Sequence, residues 1–108
     1  MKKMILLVIL LSGINLSAAD KAECEELFKS ATYNFYLENA CKYKKNISVP
    51  ITKVFEGKSC KKVFTKDDMK RVTNEVLGSS YKTMNETGRD EFCKSNKAKY
   101  DELLKKYL

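Results

Sequence analysis

The side chains that could carry chemistry in this chain are four cysteines, several acids adjacent in sequence and a large excess of lysine, with no histidine anywhere. Without histidine there is no general base that titrates near neutral pH in its ordinary state, no Ser-His or Cys-His nucleophile, and no common catalytic zinc site. Asp67 with Asp68, Asp90 with Glu91, and Asp101 with Glu102 could in principle divide acid and base roles. Neighbouring acids on a helix point about 100° apart, and such catalysis needs a partly desolvated cleft. The first two pairs also stand where helix-opening turns use acids for capping. The chain is therefore read as non-enzymatic, with no catalytic residue, no cofactor and no metal site.

Cys24, Cys41, Cys60 and Cys93 are spaced by 17, 19 and 33 residues, unlike the close pairs of structural zinc sites. An even count in a small exported chain points to two disulfides.

Lysines outnumber arginines 19 to 2, and the formal net charge is +7. Arginine forks are the usual tools for reading phosphates and bases, so no nucleic-acid partner is expected. Much of the lysine serves solubility. The densest run, Lys42, Lys44, Lys45, Lys53, Lys58, Lys61 and Lys62, continuing to Lys66, is the candidate binding surface for a protein or an anionic envelope component. The six tyrosines are read chiefly as core-edge residues. Asn46-Ile47-Ser48 and Asn85-Glu86-Thr87 match the glycosylation pattern, which is short and arises often by chance.

The compartment comes from the amino terminus. Lys2 and Lys3 precede the apolar run Met4 to Leu11, and Ser17, Ala18 and Ala19 close the segment with small side chains. This is the layout of a secretory signal peptide, residues 1–19, cleaved after Ala19. Ser12, Gly13 and Asn15 interrupt the apolar stretch, which falls short of the roughly 20 residues of a spanning helix. No transmembrane segment is expected after cleavage. The mature domain, residues 20–108, is then periplasmic or secreted, and losing Lys2 and Lys3 leaves 19 basic against 14 acidic side chains, a net of +5.

The elements that must position these groups are helical. Cys24, Leu27, Phe28, Ala31 and Phe35 recur at three- and four-residue intervals, predicting a helix over about 20–43. Tyr33, Tyr36 and Leu37 fall off that stripe and are expected to cover the following loop. Pro50 disfavours helix at residue 49, so residues 46–64 read as an extended crossover with room for a short strand, ending in a turn or a helical fragment around Cys60 to Val63. Thr65 with Asp68 forms a capping box, and Phe64 with Met69 a hydrophobic staple, opening a helix over about 66–84 that buries Met69, Val72, Val76 and Leu77. Thr87 with Asp90 repeats the capping pattern before a last helix, about 88–107.

The expected fold is an all-α three-helix bundle stapled by two disulfides. A helix from Cys24 to Cys41 sets them about 25 Å apart, which excludes that pair. If the crossover stays at one end of the bundle, the pairing is Cys24 with Cys93 and Cys41 with Cys60, gathering the lysine run at that end. The interlaced pairing requires a crossover that travels the length of the bundle. The functional expectation is an exported binding protein. The alternative is a cationic membrane-active protein acting on anionic lipid, which acidic residues in every helix disfavour.

Overall fold

The computed structural model describes residues 20–107; the leader expected over residues 1–19, with its cleavage after Ala19, lies outside them. The all-α expectation holds. Four α-helices occur among the described residues, α1 (Lys21–Ala40), α2 (Ser48–Gly57), α3 (Lys66–Thr87) and α4 (Arg89–Tyr107), with a 3-10 turn at Cys60–Lys62.

α1 opens where Asp20 accepts a hydrogen bond from the Glu23 N–H at 2.9 Å. It ends at Cys41, after which Lys42 takes φ 60°, the left-handed position that terminates helices. α3 opens on the expected capping box: Thr65 accepts from the Asp68 N–H at 3.1 Å, and Asp68 accepts from the Thr65 N–H at 2.9 Å. Phe64 is fully buried and Met69 packs on the same core, as the staple requires.

The expected extended crossover is instead α2, which makes the fold four-helical. Pro50 is the third residue of that helix, a first-turn site where an N–H has no intrahelical acceptor, so its missing donor costs nothing. No side chain caps α2 locally. Glu38 of α1 does so from ten residues away, accepting from the Ser48 N–H at 3.1 Å and from the Ser48 hydroxyl at 2.6 Å.

Because it is helical, α2 runs back along α1 from Ile47, which shares a core with Leu37, to Cys60, which is bonded to Cys24. The expected pairing is thereby overturned: the disulfides are Cys24–Cys60 and Cys41–Cys93, each with Cα atoms 5.5 Å apart. α3 then runs parallel to α1. Lys21 meets Asp68 at 3.3 Å, Arg71 meets Glu25 at 3.0 Å, and the Tyr36 hydroxyl lies 3.6 Å from Met84 Sδ.

α3 continues through Gly78 to Thr87, and the expected break narrows to Gly88, whose φ of 94° suits glycine alone. Thr87 is the last residue of α3 rather than the cap of α4. α4 lies across the upper half of α1: Asn96 accepts from the Tyr33 hydroxyl, Cys93 joins Cys41, and Glu38 accepts from the Tyr100 hydroxyl at 2.8 Å.

Two cores result, each with its own disulfide. The lower holds Cys24, Phe55, Cys60, Phe64 and Val72; the upper holds Leu37, Ile47, Met84, Phe92 and Tyr100, with Cys41 and Cys93 packed against it. Each large apolar side chain so buried stabilises the fold by about 1.5–3 kcal/mol. Tyr33 and Tyr36 join the upper core instead of covering a loop.

Candidate binding groove

α2 and α3 both pack on α1, leaving between them an open groove of about 790 Å³. Phe28, Ala31, Thr32, Phe35 and Tyr36 of α1 line it, facing Val49, Thr52 and Phe55 of α2 and Met69, Thr73 and Leu77 of α3. The lining is largely apolar, with Asn39, Ser48, Lys53, Glu56 and Lys61 supplying its polar groups. This is the composition of ligand sites, where few polar groups orient what an apolar wall holds.

Phe35, Val49 and Leu77 remain 59%, 52% and 37% exposed in the groove. Tyr81, at 59%, follows Met69, Thr73 and Leu77 at the same four-residue spacing and extends their row along α3. By periodicity Phe35 belongs to the apolar stripe of α1 and Leu77 to the buried face of α3, and Pro50 sets Val49 in an extended segment. Helical periodicity is identical for a core face and a docking face, so only the excess of apolar rows over what one bundle can bury could have marked them.

The predicted lysine surface is divided. Cys41 and Cys60 are at opposite ends of α1, about 25 Å apart by helical rise, so the run does not gather at one end. Lys42, Lys44 and Lys45 follow Cys41 at the upper end, and Lys58, Lys61 and Lys62 flank Cys60 at the lower. Lys58 is paired with Glu23 at 3.2 Å. Lys53 and Lys61 line the groove, and neither takes part in the ion pairs found among the described residues.

Asp68 and Asp101, one acid from each of two of the pairs, have structural partners. Asp68 lies below its usual range, held there first by the Thr65 backbone N–H and further by the Thr65 side chain and Lys21. Asp101 is bound by Lys97 at 2.7 Å, and Asp90 and Glu91 occupy the first turn of α4. Glu25 is likewise lowered, chiefly by its hydrogen bond from Arg71. Burial raises the phenols of Tyr33 and Tyr43, and it pushes Tyr100 up to about 12, with the Glu38 hydrogen bond acting in the same direction. The Tyr43 hydroxyl donates to the Cys93 carbonyl. Among the described residues no three metal-ligating side chains of the His, Cys, Asp and Glu types converge. Of the two glycosylation patterns, one places exposed Asn46 just before buried Ile47 and Ser48.

Comparison with protein-family models, with curated proteins and with solved structures finds no match. The functional reading therefore rests on the groove.

Proposed function

We propose that the mature chain is an exported, non-enzymatic binding domain that holds an apolar segment of a partner protein in the groove between α2 and α3. One observation carries this reading: Phe35, Val49 and Leu77 stay exposed around a shared groove, although both cores are complete without them. Leaving such side chains in water forfeits hydrophobic stabilisation that a partner would recover. Two disulfides suit an oxidising compartment, which supports placing the domain in the periplasm or outside the cell.

The membrane-active alternative gains less. No described helix is long and apolar enough to cross a membrane, and the lysines of residues 42–62 are split between two ends instead of forming one cationic face.

Nile red is a suitable first probe because it reports apolar surface without charge. Its fluorescence is expected to rise with the oxidised protein. Leu77→Glu is expected to weaken binding roughly tenfold, equivalent to about 1.4 kcal/mol. Leu77 is partly exposed on α3, so this change leaves the cores intact. Lys99→Glu on α4 is the matching control and should bind like the parent. Equal binding by all three proteins would remove the groove from the reading.

A further inference from the structure

We infer that the occupant of the groove is an acidic amphipathic helix of another protein, seated so that it completes a four-helix arrangement with α1, α2 and α3. This rests on the groove being a protein-binding site, as proposed above, and adds the shape and charge of what binds.

The shape comes from the rows that line the groove. Met69, Thr73 and Leu77 are four residues apart on α3, with Tyr81 next in the series. Phe28 and Phe35 lie on one stripe of α1, two turns apart, and Val49 and Lys53 are one turn apart on α2. Ridges at four-residue spacing are the surfaces between which another helix interdigitates. The lining of α1 runs from Phe28 to Asn39, eleven helical steps or about 16 Å. A guest helix anchored at i, i+3 or i+4, and i+7 spans about 10 Å, so the groove accommodates its apolar stripe with a turn to spare. The chain's own α4 does not fill this position, because Gly88 turns it across the upper half of α1.

The open side of the groove selects the class of occupant. A hydrocarbon chain has no polar face, and in a groove whose walls are themselves half exposed it would leave much of its surface in water. An amphipathic helix turns its polar face outward and buries only its apolar stripe. The charge is also selective. Lys53 and Lys61 line the groove and have no ion-pair partner among the described residues, against one lining acid, Glu56. A second copy docked about a two-fold axis would oppose this patch to itself and bring like charges together. Acidic residues flanking the apolar stripe of a guest helix would meet Lys53 and Lys61 instead.

The test uses two labelled peptides of about four helical turns, with the same leucine stripe and either Glu or Lys on both flanks. Fluorescence anisotropy with the oxidised protein is expected to show the Glu peptide binding about tenfold tighter than the Lys peptide, the effect of a few exposed charge pairs. The preference should shrink as salt is raised. The double change Lys53→Glu with Lys61→Glu should reverse it, and Leu77→Glu should weaken both peptides. If Nile red binds but neither peptide does, the helix inference fails while the apolar site stands. Displacement of Nile red by oleate but by neither peptide would assign the groove to lipid and overturn the inference. Self-association abolished by Leu77→Glu would assign it to a second copy, again against the inference. Failure of Nile red and both peptides would sink the groove reading itself.

Discussion

Cys60 is bonded to Cys24 across 36 residues of sequence, and this link fixes the lower end of α2 against the first turns of α1. It makes α2 a wall of the groove rather than a loose crossover. Cys41 and Cys93, 52 residues apart, fix α4 across the upper end.

Digestion without reduction should therefore yield peptides joining Cys24 to Cys60 and Cys41 to Cys93. A Cys41–Cys60 peptide would contradict the path of α2. On chain-entropy grounds, replacing either pair with serines should cost about 4 kcal/mol in urea unfolding. Only loss of Cys24 and Cys60 should also weaken Nile red binding, because only that pair anchors a groove wall.

Glu38 ties three helices together through Ser48 and Tyr100. Glu38→Ala leaves the Ser48 N–H, the Ser48 hydroxyl and the Tyr100 hydroxyl without this acceptor, an expected loss of about 1–3 kcal/mol. Urea unfolding measures it. A loss under about 0.5 kcal/mol, the range of ordinary surface changes, would show that α2 does not depend on this cap.

The same substitution should have opposite signs at two glycines. Gly88 has φ 94°, and an added Cβ there meets nothing within 4 Å, so Gly88→Ala should cost about 1–3 kcal/mol through backbone strain alone. Gly78 lies within α3 with equally open space, and Gly78→Ala should stabilise by about 0.5–1 kcal/mol. Thermal unfolding of the two variants checks both. Equal shifts would mean that Gly88 does not hold its turn.

Stability should fall at both extremes of pH. Tyr100 is raised from 10.0 to about 12, so the folded state retains a proton that the unfolded chain releases. Its contribution is fully present below pH 10 and is lost as pH rises toward 12. Asp68 and Glu25 are lowered, so their contributions are present above the ordinary carboxylate range and are lost as pH falls through their folded values. Urea midpoints across pH should show both limbs, with Tyr100→Phe flattening the alkaline one and Arg71→Ala reducing the acid one. An unchanged alkaline limb in Tyr100→Phe would remove Tyr100 as its cause.

The parts legible in the sequence were those whose causes are local. Thr65 and Asp68 cap α3 within a single turn, and the stripe from Cys24 to Phe28 needs only helical spacing to be recognised. α2 was illegible because its cap, Glu38, comes from another helix, and because Pro50 breaks a helix only beyond the first turn. The disulfide pairing followed from that one misplaced element. The groove was partly legible: Lys53 and Lys61 were singled out by charge, whereas Phe35 and Leu77 carried the same periodic signal as the core. Lys42, Lys44 and Lys45 share the charge of Lys61 but not its location.

The groove as a protein-binding site is tested most directly by following backbone amide chemical shifts while the Glu-flanked peptide is titrated into the oxidised protein. The expected result is that the largest shifts fall on Phe35, Val49, Thr73 and Leu77, with the loop carrying Lys42, Lys44 and Lys45 little changed. Shifts concentrated on that loop or along α4, with the groove residues unmoved, would contradict it.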